Sequence, residues 1–233
     1  VALAVAALSA VAFFADRLQG GLQRDARALI GGDAVLRSDH AIAPDWVARA
    51  ETLGLRHTLW LTFPTMARTT DERGGQARLV ALKAVGEGYP LLGQLQTQGA
   101  ADAAPIDADQ GPPPGEVWVE APLLDALEAQ IGDDVWLGDA LLKVTRTIAL
   151  ETDRGGGFIN FSPRLMMNRA DVAATALVQP ASRLTYRLAV AGPSAAVQAF
   201  TTEVKAAITE QRLRGAQLED LAEGSPQTTQ TLD

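Results

Sequence analysis

Residues 183–221 read RLTYRLAVAGPSAAVQAFTTEVKAAITEQRLRGAQLEDL, and the change of hydrophobic period inside this stretch decides the fold class. From Arg183 to Val190 the side chains alternate. Leu184, Tyr186, Leu188 and Val190 lie on one side and Arg183, Thr185 and Arg187 on the other, as in a half-buried strand. Gly192-Pro193 ends that strand, and the period lengthens. Val197, Phe200, Val204 and Ile208 recur at spacings of 3, 4 and 4, which is one face of a helix running to about Leu213. Ala216–Leu221 follows as a final strand. A unit of the same form stands at 33–69. Asp33–Ser38 is a short strand, Pro44 opens a helix with Trp46, Val47, Ala50 and Leu53 on its apolar side, and Gly54 closes it. Thr58–Thr69 then alternates, with Leu59, Leu61 and Phe63 on one face. Two strand–helix–strand units that bracket the chain can share one sheet, with 116–180 inserted between them: an α+β architecture with a discontinuous domain.

Working inward, Ala77–Val85 returns from the turn Asp71–Gln76 as the second arm of a hairpin, and its near-continuous apolar run predicts burial on both faces. Gln98–Gly115, with Pro112-Pro113-Pro114, five alanines and three aspartates, reads as a flexible surface loop. Then comes a compact, mostly β unit. Glu116–Val119 is a strand, and Pro122 starts a helix with Leu123, Leu124, Leu127 and Ile131 inward. Val135–Leu137 and Leu141–Leu150 form a hairpin. Thr152–Pro163 is a loop, Arg164–Met167 a strand and Ala170–Ala176 a short helix.

Working outward, the 233-residue chain begins VALAVAALSAVAFFA, fifteen residues without a charge. At about 1.5 Å per residue these span roughly 22 Å, less than the roughly 30 Å of a hydrocarbon core. Three readings stand: a transmembrane helix whose upstream part lies outside this sequence, a signal peptide cleaved after Ala10-Val11-Ala12, or a buried helix of a soluble core. The apolar pattern continues past the uncharged run, because Leu18, Leu22, Ala26 and Leu29 follow at spacings of 4, 4 and 3. That continuity favours one helix leaving an apolar medium and running as an amphipathic stalk to Ile30, where Gly31-Gly32 stops it and offers a hinge.

Composition narrows the function. With 20 basic and 28 acidic residues the net charge is −8, which argues against a nucleic-acid partner. The absence of cysteine removes disulfides, thiol nucleophiles and Cys-based zinc sites. The two histidines, His40 and His57, lack the spacing that puts two imidazoles on one helix face, and no serine stands in a nucleophile elbow. Gly155-Gly156-Gly157 lacks the Lys and Ser/Thr of a phosphate-binding P-loop. Asp133, Asp134 and Asp139 read as turn and cap residues. No catalytic, cofactor or metal residue is assigned. Phe158, Ile159 and Phe161 on the glycine-rich loop are either an apolar tip that contacts protein or cargo, or a segment folded back onto the small subdomain.

The order of segments resembles the first extracytoplasmic domain of FtsX-like and MacB-like ABC transporter permeases, closest to the YbbP branch. The resemblance is carried by LIGGDAVLRS (29–38), LVALKAVGEGYPLLG (79–93), VWVEAPLLDALEAQIGDDVWLGDALLKVTRTIALETDR (117–154) and SPRLMMNRADVAATALVQPASRLTYRLAVAGP (162–193). It implies a bacterial inner-membrane protein with this domain on the periplasmic side. It also implies no catalysis in this chain, a separate cytoplasmic ATPase subunit that binds ATP and Mg, and mechanotransmission along stalk helices. Handling of hydrophobic or lipid-like molecules is implied as well, with membrane lipid and a periplasmic esterase or thioesterase as partners. The expected divisions are 1–30, the end of a transmembrane helix and stalk; 31–97, the first half of a porter-like subdomain; 98–180, the inserted subdomain with its loop 98–115; 181–225, the second porter-like half; and 226–233, leading into the next transmembrane helix. The competing expectation is a secreted binding or adaptor module with no transport role.

Overall fold

The computed structural model describes residues 14, 17–18, 20–99, 103–155, 161–179, 182–210 and 212–220. Helix α1 covers 20–30. Strand β1 (Ala34–Ser38), helix α2 (Pro44–Thr52), strand β2 (Arg56–Thr69) and strand β3 (Ala77–Val85) follow. Next come β4 (Leu95–Gln98), β5 (Ile106–Asp107), β6 (Glu116–Glu120), α3 (Ala121–Leu127), β7 (Asp134–Leu137), β8 (Ala140–Glu151) and β9 (Arg164–Asn168). Strand β10 (Thr185–Ala191), helix α4 (Ser194–Thr209) and strand β11 (Ala216–Asp220) complete the chain. Among the described residues no helix is long and apolar enough to cross a membrane.

The two strand–helix–strand units do share a sheet, in the order β11-β1-β10-β2. Strands β1 and β2 both pair antiparallel with β10, so they are parallel to each other with β10 between them. Strands β10 and β11 flank β1 in the same way. Each unit is therefore a split βαβ, the interleaved form of this motif. Alternation along each strand sends Ala34, Leu36, Leu188 and Val190 to one face, where α2 and α4 cover them with Ala50, Phe200 and Val204. Trp46 meets Phe200 edge-to-face at 6.0 Å, and Arg49 pairs with Glu203 across the two helices.

Six strands, β2 among them, close a ring, and β4 with β5 extends from the end of β8 outside it. β2 pairs with β3, β3 with β9, β9 with β6, β6 with β8, β8 with β7, and β7 pairs back onto β2. Its interior is filled by Phe63, Val80, Leu82, Val117, Val119, Val135, Leu137, Val144, Leu165 and Met167, with α3 supplying Leu123 and Leu127. Closure removes edges that would otherwise expose unpaired backbone groups. Pro64 shows how β2 serves two structures. Its partner β10 ends at Thr62 and β7 begins at Ala67, and the proline, which has no N–H, falls in that gap.

Two expectations are corrected locally. Within 98–115, Ile106–Asp107 pairs with β4, Ala108 N donates to Leu95 O at 2.8 Å, and Pro112 O accepts from Asn168 Nδ2 at 2.9 Å. Backbone and amide bonds anchor this stretch despite its poor apolar content. The short helix expected at 170–176 is instead two single 3-10 turns, Arg169–Asp171 and Ala173–Thr175. The Thr175 hydroxyl donates to Val172 O at 2.7 Å and Ala176 turns left-handed, so the helix cannot propagate.

Candidate functional site

The site lies where α1 meets the sheet. Gly31 N donates to Ala28 O at 3.2 Å and Gly32 N to Arg27 O at 3.1 Å. With Gly31 at φ +81°, this is the Schellman ending that a glycine permits at low cost. Both glycines are buried. A Cβ on Gly31 would stand 3.0 Å from Asp153 Oδ2, and one on Gly32 would stand 3.1 Å from the backbone oxygens of both Ala34 and Val190. Asp33 N continues into the sheet by donating to Val190 O at 2.8 Å, and Asp33 Oδ2 accepts from Gly192 N at 2.9 Å. Arg27, on the last turn of α1, pairs with Asp33 at 3.3 Å. Gly31 and Gly32, the pair expected to offer a hinge, form a close-packed seat in which an added side chain would be crowded.

Behind the seat lies a buried charge network. Lys83 on β3 donates from Nζ to Glu151 Oε1, Asp153 Oδ2 and Tyr89 Oη, each at 2.8 Å. The Tyr89 hydroxyl donates to Asp153 Oδ1 at 2.6 Å. Arg164 on β9 donates from Nε to Glu151 Oε2 at 2.8 Å, from Nη2 to Arg154 O at 2.9 Å and from Nη1 to Ala81 O at 3.3 Å. The four charged side chains are each no more than 4% exposed. Two cations face two carboxylates, so the cluster is neutral, and Lys83 also lies 4.5 Å from the Tyr89 ring centre and 5.1 Å from that of Trp60. Its surroundings are apolar: Trp60, Val85, Leu95, Trp118 and Met166, with Ile30 of α1 packed against the same cluster.

The environment fixes the protonation states. Burial alone pushes the Glu151 carboxyl up, but Lys83 and Arg164 outweigh it and hold the group below its usual range. Burial, together with the neighbouring Asp153 and Glu151 charges, drives the Tyr89 phenol well above its ordinary value, so it stays a donor. Taking charges out of water is costly, and such a cluster persists only where every partner is met. The network joins β3 to the ends of β8 and β9 directly beneath the seat of α1. Among the described residues no group of three or more His, Asp or Glu is arranged to hold a metal ion.

The sequence-selected residues fare differently. Leu22 and Leu29 lie on α1 and Leu18 precedes it, each with more than half of its surface exposed, so the sheet does not cover these leucines. Gly31 and Gly32 are at the joint. Phe158 and Ile159 lie outside the described residues, and Phe161 is 85% exposed. The network itself was missed, although a signal existed: Lys83 is the one charge inside the apolar run LVALKAV (79–85), predicted buried on both faces.

No family model matches the chain. The uncharacterized ABC transporter permease YbbP of Escherichia coli (strain K12) is 35% identical over 187 residues, 80% of this chain and 22% of that protein. The chain thus spans about a fifth of the length of the curated relative it matches. Among solved structures, the extracellular domain of the noncanonic ABC-type transporter YknZ from Gram-positive bacteria has a TM-score of 0.51 at 10% identity, over 80% of this chain and 100% of that one. The periplasmic region of MacB from Actinobacillus actinomycetemcomitans has a TM-score of 0.48 at 10% identity, over 83% of this chain and 91% of its own. At such identity the likeness to the YknZ domain is one of fold.

Proposed function

The chain belongs to the ABC transporter permease family, and on that premise we propose that it is the extracytoplasmic relay of a permease in the bacterial inner membrane. In this reading a separate cytoplasmic ATPase subunit binds ATP and Mg and does the hydrolysis. Its motion enters this chain as a displacement of α1, and the joint hands that displacement to the sheet. The observation that supports the reading is the seat itself. A slack linker absorbs motion, whereas α1 ends in a hydrogen-bonded turn buried against Asp153, with a neutral ion network holding β3, β8 and β9 beneath it. Packed elements pass on small shifts as rigid-body movements because their interiors do not deform continuously.

The work done with that motion is extraction or export of hydrophobic, lipid-like molecules. The exposed apolar stripe of Leu18, Leu22 and Leu29 faces membrane lipid or a neighbouring helix, and Phe161 marks the loop that meets cargo or a periplasmic partner such as an esterase or thioesterase. The test is a proline in the stalk. In the reconstituted full-length transporter, Leu22→Pro or Ala26→Pro should leave ATP hydrolysis running while abolishing the ATP-dependent change in distance between a spin label on the sheet and gadolinium-labelled lipid headgroups. An unchanged response in both variants would refute the relay.

A further inference from the structure

The face of the β11-β1-β10-β2 sheet opposite α2 and α4 carries, beyond the buried Val35 and Ala189, an arrangement that the relay does not use. Register places Arg37 directly opposite Arg187, Gln217 directly opposite Arg37, and Thr185 directly opposite Thr62. Alternation puts all five on one face, because the side chains between them, Leu36 and Leu188, belong to the core under α2 and α4. Residues directly opposite in an antiparallel pair have Cα atoms about 4.5–5.5 Å apart, so the two arginines stand side by side on neighbouring strands, with the Arg187 guanidinium reaching towards Thr62 of β2. Like charges in this relation are destabilising. Among the described residues the Arg37 side chain makes no hydrogen bond or ion pair, and Arg187, half-buried, spends one of its five N–H groups on the Thr62 hydroxyl at 3.2 Å. The carboxylate on this face is Glu219, directly opposite Val35 and one step along from Arg37. Asp153 and Arg164 of the buried network lie within electrostatic reach of Arg187. Burial, foremost, lowers the Arg187 pKa, with Arg37 adding to the shift and Glu219 and Asp153 opposing it. In a chain of net charge −8, two adjacent arginines with unspent donors mark a local reversal of sign.

We infer that Arg37 and Arg187, with the Thr62 hydroxyl, form a binding site for a phosphate oxyanion at the solvent-facing end of this sheet face. A tetrahedral anion between the two planar forks accepts several charge-assisted hydrogen bonds at once and removes the repulsion that the bare sheet carries. The oxyanion has two sources, free phosphate or the headgroup of a phospholipid. The site does not depend on the relay: it is present at rest, and its occupancy is read without ATP or an ATPase.

The test is calorimetric titration of the full-length protein in neutral maltoside micelles with two probes, inorganic phosphate and dihexanoyl phosphatidylglycerol below its micelle concentration. Saturable binding of either probe is expected, and binding of the lipid alone identifies a headgroup as the source. Arg37→Gln with Arg187→Gln should weaken binding by at least ~10-fold, while Arg78→Gln, the loss of one charge at the exposed start of β3, leaves it within about 2-fold. Glu219→Gln removes the competing carboxylate and should tighten binding by about 3-fold or more, a change of sign that a folding defect cannot imitate. Absence of saturable binding for both probes, undiminished binding in the double variant, or no tightening with Glu219→Gln overturns the site.

Discussion

Replacing Lys83 by Met keeps the length and apolar stem of the side chain and deletes its charge. The Lys83 ammonium bonds Glu151, Asp153 and Tyr89 at 2.8 Å each, so the change leaves Glu151 with Arg164 alone and Asp153 with the Tyr89 hydroxyl alone. The site then holds two buried carboxylates against one guanidinium, a net charge of −1 where the native cluster is neutral. Removing one partner of a buried ion pair costs about 3–5 kcal/mol, and this cation serves two carboxylates. For a protein of this size 1 kcal/mol corresponds to about 2–4 °C, so Tm should fall by roughly 6–20 °C. Urea unfolding of the 233-residue chain, followed by far-ultraviolet circular dichroism, measures the loss, with the slope unchanged if the fold is unchanged. The double variant Lys83→Met, Asp153→Asn restores neutrality and should be less destabilised than the sum of its parts, by about 1 kcal/mol or more. A loss within about 0.5 kcal/mol for Lys83→Met would mean that water already reaches the cluster, and the reasoning would fail.

Other consequences follow from the same geometry. The Glu151 carboxyl is held below its unfolded value of 4.5, so its stabilisation is complete above that pH and is lost as pH falls through the folded value; Glu151→Gln should flatten the urea midpoint across the acid range. The Tyr89 phenol is raised above 10.0, so its contribution is complete below pH 10 and is lost as pH rises towards the folded value; tyrosinate absorbance should show a delayed component that Tyr89→Phe removes. Gly31→Ala places an L-residue at φ +81° with its Cβ 3.0 Å from Asp153 Oδ2, which should destabilise the chain by about 1–2 kcal/mol from backbone strain before any crowding is counted. Phe200→Ala opens a cavity under α4 and should cost about 3–5 kcal/mol in the same urea assay, without altering the charge network.

Much of the sheet was legible because local periodicity and tertiary burial agree there. Leu188 and Val190 alternate with Arg187 and Ala189, and the strand's two faces separate as the pattern predicts. The stop at Gly31-Gly32 was legible for the same reason, but its packing was not. Whether a glycine pair is a hinge or a seat depends on what lies against it, and Asp153 stands 122 positions further along the chain (153 minus 31). Ring closure was hidden too, since the pairing of Thr69 with Val135 joins segments whose own patterns say only that each is a strand. The ion network is a case where sequence logic errs at a position of interest. Lys83 interrupts an apolar run, and a short-range reading passes over it because its partners, Glu151 and Asp153, look like ordinary charges at the end of a strand.

The account turns on α1 and the sheet moving as one body. Spin labels at Leu22→Cys on α1 and Leu79→Cys on β3, both exposed positions, permit a direct distance measurement by pulsed electron paramagnetic resonance in the full-length transporter. The account predicts one narrow distance distribution, the same without nucleotide, with ATP bound and during turnover, which Gly31→Ala broadens. A distribution that shifts or splits when ATP binds would show that the joint bends, and it would contradict the claim that the seat carries the motion.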